Sequence, residues 1–177
     1  MTSLPVTISY SDGEGEGAGV GIAAWFADGT ILGGYHAIPD EVRALWARPP
    51  SADGLVHDIF EIEAVGPALV LANWGERMRG GLWLHFIDNE GALATLVKGS
   101  SSVLSGECIA AYTHVKIAEL GLWPWFDRVD SKSNPVDGLS RGRFQGEWKL
   151  VDIVFPIELI SSISAFCSSR SCRRHAS

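Results

Sequence analysis

Apolar and polar positions alternate from Val6 to Tyr10, the period of a half-buried strand. The alternation stops in the glycine-rich run SDGEGEG, read as a turn, after which Val20 to Phe26 form a second apolar strand. An Asp28-Gly29 turn then leads into a third, Ile31 to His36. Short connections between successive strands predict a three-stranded antiparallel meander. Pro39 to Gly54 is polar and proline-containing, and reads as a connection with a short helix around Asp40 to Trp46. From Asp58 the period lengthens: Ile62, Val65, Leu69 and Ala72 recur at three- and four-residue spacing, and Ala64, Ala68, Leu71 and Trp74 widen the apolar face. Pro67 falls inside this helix, and because proline brings no N–H the helix is expected to bend away from Glu63.

Leu82 to Ile87 is a continuous apolar run, which predicts a strand buried on both faces in a parallel part of the sheet. Asn89 to Lys98 reads as a short helix and Gly106 to Leu120 as a longer one stopped by Gly121. Trp123 to Val129 is a fifth strand, and Pro135 to Leu139 the first turn of a last helix. The predicted order is βββαβααβα, an α/β fold. Residues 1–147 are read as one domain and 148–177 as a tail, with Trp148 to Phe155 a candidate edge strand and the end, SSRSCRRHAS, disordered. Trp25, Trp83, Trp123 and Trp125 lie on strands and are expected in the core.

Composition narrows the picture. With 46% hydrophobic and 20% charged residues the chain is unlike a disordered one. Three cysteines, odd in number and widely spaced, suit neither a disulfide framework nor a zinc knuckle. The apolar run from Leu150 to Phe166 is broken by Asp152, Pro156 and Glu158, so no membrane span is expected. No basic segment precedes an apolar one at the N-terminus; an intracellular location is the default expectation. The net charge of −7 weighs against tight, unaided binding of nucleic acid.

Four acids fall at element ends. Asp12 closes the first strand, Glu61 lies in the first turn of the long helix, Asp88 ends the fourth strand and Asp137 opens the last helix. In an open sheet, ligands gather beyond strand ends where connections diverge, so carboxylates placed there can meet. Each acid also has a plain structural use. Asp12-Gly13 suits a hairpin turn, Asp58 with Glu61 a helix capping box, Asp88-Asn89 a helix cap, and Asp137 after Asn134-Pro135 turn chemistry.

The segments ISYSDGEGEGAGVG, IFEIEAVGPAL, LHFIDNEGALATLVKGSSS and RVDSKSNPVDGLSRG together resemble type 1 ribonuclease H domains of retroelement reverse transcriptases, in family order over residues 6–143. The resemblance implies a ribonuclease H-like fold: a five-stranded mixed sheet, three antiparallel strands then two parallel, with helices on both faces. It implies cleavage of the RNA strand of an RNA/DNA hybrid by two Mg²⁺ ions about 4 Å apart, for which Mn²⁺ can substitute. By that analogy Asp88 and Glu61 hold one ion, Asp12 bridges both and Asp137 completes the second site. Glu61 is preferred to Glu63 because Ala64, Ala68 and Leu69 then fall where the family motif has Ala, Ala and Leu; Glu63 is read as a solvated helix residue. A reverse-transcriptase polymerase domain of the same polyprotein is the implied partner. Ser11, Gly13, Lys98, Ser101, Ser102 and Lys132 are the candidate substrate contacts.

The chain departs from the pattern in two places. The loop DSKSNPVD has no His, and only SSSVLSG links Lys98 to the next helix, leaving no room for a basic handle. His36, His85 and His114 sit in apolar or helical settings and read as structural. Two other functions stay open at this point: a catalytically degenerate module that binds without cutting, and a DNA nuclease, such as an exonuclease or integrase, on the same fold.

Overall fold

The alternation that begins at Val6 builds a strand longer than its apolar run. In the computed structural model, which describes residues 3–46 and 58–161, β1 spans Val6–Glu14 and takes in the first half of the expected turn, leaving residues 15–18 to make it. Asp12, Gly13 and Glu14 pair with Gly21, Val20 and Gly19 of β2 (Gly19–Trp25), and β2 pairs in turn with β3 (Ile31–Ala37), both antiparallel. Asp12 therefore lies inside a strand rather than in a hairpin turn. After α1 (Asp40–Trp46), which buries Val42 and Trp46, the chain enters α2 (Ile59–Met78), unbroken through Pro67. Then follow β4 (Leu82–Ile87), α3 (Glu90–Lys98), α4 (Leu104–Leu120), β5 (Trp123–Arg128), a 3₁₀ turn (Ser131–Ser133), α5 (Asp137–Ser140) and β6 (Lys149–Leu150).

The sheet runs β5-β4-β1-β2-β3-β6, with β4 parallel to both β1 and β5. It has six strands where five were expected. The extra strand pairs with β3 at Leu32 and Gly33. A side chain on Gly33 would meet Trp148 and one on Gly34 would meet Ile153, so two adjacent glycines open the notch in which the returning chain lies. Ile153, Phe155 and Leu159 continue into the main core. The part of the predicted tail described here, up to Ser161, is thus packed against the sheet; the expected disorder of SSRSCRRHAS lies outside the described residues.

Helices lie on both faces, unequally. Gly66 of α2 rests on Ser11, and Ser9 and Ser11 share their side with Trp83 and His85 of β4. The short α5 covers the opposite face, with Leu139 and Ser140 over Gly21. On that second face, no helix of the described residues covers β4 and β5. The β4 run is buried on one side only: Trp83 and Ile87 are inaccessible, while Leu82 is exposed. Val6 pairs with Leu82 and Leu82 with Trp123, and the next rung joins Ile8, Leu84 and Trp125. Of the four strand tryptophans expected in the core only Trp83 is fully buried, whereas Trp123 and Trp125 are 66% and 64% exposed. At the β5 edge, the Trp123 N–H donates inward to the Gly81 carbonyl. By alternation residue 124 turns its backbone outward, and there Pro124 has no N–H to present. No helix of the described residues is long and apolar enough to cross a membrane.

Candidate metal centre

β1 is the switch point of the sheet, since β2 leaves to one side of it and β4 returns on the other. The last rung joining β1 and β4 pairs Tyr10 with Phe86. Two residues on from this rung stand Asp12, still within β1, and Asp88, just past the end of β4, so the register carries both to the same end of the β1–β4 pair. Asn89 caps α3 by accepting the Ala92 N–H at 3.0 Å. The helix cap is therefore made by the neighbour, and Asp88 is left to the cluster.

The third acid is Glu63. One ligand oxygen from each of Asp12, Glu63 and Asp88 lies within 4.8 Å of the others. Gly66, one turn after Glu63, lets α2 approach β1 closely enough to touch Ser11, which brings the start of the helix against the strand end. The Gly13 backbone N–H donates to the Glu63 carboxyl. Pro67 has no N–H to offer the carbonyl four residues before it, that of Glu63, yet the helix runs on through it.

This corrects the choice between the two helix glutamates. Successive helix positions turn by about 100°, so Glu61 and Glu63 point in nearly opposite directions. Glu61 is fully buried on the α4 side, where Ser105 Oγ donates to its Oε1 at 2.6 Å. It forms no capping box with Asp58, whose carboxylate instead takes the Arg43 Nε at 2.8 Å. Glu63, expected in solvent, is 5% exposed. The Ala64-Ala68-Leu69 spacing misled because any small residue one turn on serves the packing, and a glycine three after Glu63 was the signal available.

Asp137 stands at the rim of the cluster. It does not share the close oxygen set, but its charge reaches Asp12, and its carboxylate is held by Arg141 Nε at 3.0 Å and Arg143 Nη2 at 3.2 Å. The segment around it supports Asp12 directly. Asn134 Nδ2 donates to Asp12 Oδ1 at 3.3 Å and to the Ser11 carbonyl at 3.0 Å, and Ser140 Oγ donates to Asp12 Oδ2.

The electrostatics suit a cation. Burial is the main cause that pushes the Glu63 carboxyl up to about 9, with the charges of Asp88 and Asp12 adding to it. Burial likewise raises Asp12 to about 6, opposed by the Ser140 hydrogen bond and reinforced by Asp88 and Asp137. Glu63 Oε2 is buried and has no hydrogen-bond partner among the described residues. A lone acceptor among crowded carboxylates is costly unless a cation answers it. The donors are all hard oxygens, which fits a divalent ion such as Mg²⁺ or Mn²⁺ rather than a soft metal.

The expected substrate contacts divide. Ser11 is fully buried with its Oγ 3.0 Å from His85 Nε2, so its hydroxyl faces the core and not the cleft. Gly13 contributes its backbone to Glu63. Lys98, Ser101 and Ser102 line a depression of about 460 Å³ with Phe60 and Gly91, where α3 meets the loop before α4. Lys132 is exposed on the 3₁₀ turn. His85 is buried between Ser9 and Ser11, and His114 Nε2 lies 2.8 Å from the Leu96 carbonyl.

The sequence matches no protein-family model and no curated protein. Solved structures do match the coordinates. The ribonuclease H1 of the halophilic archaeon Halobacterium salinarum NRC-1 aligns with a TM-score of 0.60 at 14% identity, over 78% of this chain and 96% of that one. The N-terminal ribonuclease H domain of a Mycobacterium tuberculosis protein, solved as a fusion with maltose-binding protein, aligns with a TM-score of 0.57 at 15% identity, over 78% and 93%. The chain has a ribonuclease H-like fold.

Proposed function

We propose that this chain is a divalent-metal-dependent endonuclease that hydrolyses the RNA strand of RNA/DNA hybrids, of the kind carried by retroelement reverse transcriptases. The observation that carries the proposal is the meeting of Asp12, Glu63 and Asp88 oxygens within 4.8 Å at the switch point of a ribonuclease H-like sheet. These three carboxylates would hold the metal, with Asp137 at the rim available to a second ion. Bound there, Mg²⁺ or Mn²⁺ supplies an activated water and stabilises charge on the leaving oxygen.

The remaining work belongs to the chain. Asn134 and Ser140 grip the two oxygens of Asp12 and fix its orientation. Asn134, Asp137, Ser140 and Arg141 all belong to the segment RVDSKSNPVDGLSRG, and each bears on Asp12 or Asp137, which supports the retroelement reading of that segment. Lys98 and Lys132 are exposed cations available to a hybrid backbone, which is recognised by shape and by the 2′-hydroxyls of its RNA strand.

Cleavage of a labelled hybrid in Mg²⁺ or Mn²⁺ tests the proposal. Wild type is expected to cut, Asp88→Asn and Glu63→Gln to be inactive, and Glu61→Gln to retain activity. Absence of metal-dependent cutting at micromolar enzyme overturns it, and preference for duplex DNA over hybrid transfers the site to a DNA nuclease. The arginine-bound state of Asp137 favours a second reading, a module that binds without cutting. Such a module shows no metal-dependent turnover with either substrate.

A further inference from the structure

The cleft has one feature that metal binding does not use. Two guanidinium groups, Arg141 and Arg143, grip the same carboxylate, one on each oxygen of Asp137. Arg141 also feels the charges of Asp12 and Glu14, which puts it at the lip of the metal cluster. The two arginine side chains are 51% and 65% exposed, and that of Asp137 is 38% exposed, so all three are reached from solvent. A phosphodiester offers what a carboxylate offers, one negative charge spread over two oxygens at the spacing of a guanidinium fork. In a chain of net charge −7, a pair of arginines beside the metal cluster is the local exception to the prevailing sign.

From this geometry we infer that Arg141 and Arg143 form a binding site for a backbone phosphate of the nucleic acid, entered by exchange with Asp137. In the free protein the arginines hold Asp137 apart from the close oxygen set. An arriving phosphate takes the guanidinium groups, and Asp137, whose charge already reaches Asp12, is released toward Asp12, Glu63 and Asp88. Arrival of the substrate and completion of the four-carboxylate set are then one event. The inference rests on the nuclease reading of the cluster, but its test does not depend on turnover.

The experiment measures binding of an RNA/DNA hybrid in EDTA by fluorescence anisotropy, over a series of salt concentrations. Removing both charges, Arg141→Ala with Arg143→Ala, is expected to weaken binding about tenfold or more and to lower the magnitude of the slope of log K against log salt by about one, since each phosphate contact contributes about 0.9. Asp137→Asn frees both arginines and is expected to strengthen binding severalfold, more than Asp88→Asn, which removes an equal charge without releasing them. In the arginine-less background the gain from Asp137→Asn should vanish. Thermal melts of each variant establish that it is folded. Wild-type affinity and salt slope in the double arginine variant overturn the inference, as does an equal gain from Asp137→Asn with and without the arginines. A protein that cuts hybrid but binds it independently of these arginines sinks only this inference. One that binds through them without metal-dependent cutting sinks only the nuclease reading.

Discussion

Exchanging Glu63 for Gln removes a ligand oxygen whose ionised form the metal-free protein disfavours and a cation would restore, while exchanging Glu61 removes a carboxyl that lies outside the close oxygen set and takes the Ser105 hydroxyl. The two substitutions should therefore separate. A divalent ion that binds the folded state at one hundred times its Kd adds about 2.7 kcal/mol of stability, on the order of 5–10 °C in Tm for a chain of this size. We expect wild type to show that gain in Mn²⁺ and Glu63→Gln to lose it. Glu61→Ala should keep the metal response, and should lower stability by about 1–3 kcal/mol by stripping the buried Ser105 hydroxyl of its acceptor. Calorimetry with and without metal reads both effects. A metal response that follows Glu61 instead would return the site to the sequence-based assignment.

His85 supplies a second residue-level test. Burial alone pushes its imidazole down to about 3, so the folded protein keeps it neutral while the unfolded chain protonates it near 6.5. The unfolded state binds the extra proton between those values. The stability contributed is therefore full above pH 6.5 and is lost as pH falls toward 3. Urea titrations at pH 7.5, 5.5 and 4.5 should show a shallower acid-side loss in His85→Asn than in wild type; equal slopes would mean that His85 titrates normally.

Among the elements, α2 decides where the chemistry sits, and its position turns on Gly66. Alanine there gains up to about 1 kcal/mol in helix propensity. Its methyl group, however, would occupy the space of the Ser11 side chain, and forced overpacking costs about 1–3 kcal/mol. Gly66→Ala should accordingly be destabilising on balance, and by pushing the start of α2 away from β1 it should also weaken the Mn²⁺ response, both visible in one set of melts.

The same element shows what could be read beforehand. The helix was legible from its apolar spacing, and β4 from its uninterrupted run, because burial against a core leaves a period in the sequence. The phase of a helix that is apolar on nearly all sides is not recorded that way: α2 buries Glu61 and Glu63 alike, so hydrophobicity could not tell them apart. Asp12 and Asp88 stood out in the sequence because each follows an apolar strand pattern, Val6 to Tyr10 and Leu82 to Ile87. The continuation of β1 to Glu14, into the SDGEGEG run, was not, since these residues are held by backbone pairing with β2, to which side-chain type is nearly silent. The return of the chain onto β3 depends on Gly33 and Gly34, whose meaning appears only once Trp148 and Ile153 are placed over them.

For the molecule as a whole, the uneven covering of the sheet is the main departure from expectation. Parallel strands are ordinarily covered on both faces, yet among the described residues Val6, Ile8, Leu82, Trp123 and Trp125 form an exposed apolar region across β1, β4 and β5. Because the two tryptophans are mostly exposed, Trp123→Ser with Trp125→Ser should change folding stability by no more than about 0.5 kcal/mol each, the range of ordinary surface substitutions. It should also reduce binding of a hydrophobic dye. A large loss of stability would show that these rings are enclosed in solution.

Pro124 gives that exposure a direction. A foreign strand that tried to lengthen the sheet beyond β5 would meet a pyrrolidine ring where it needs a donor, while the opposite border is already occupied by β6. The β5 border is closed to growth in width, and on that side of the molecule stickiness belongs to the flat face: copies that meet there at high concentration would stack through their indoles rather than zip edge to edge.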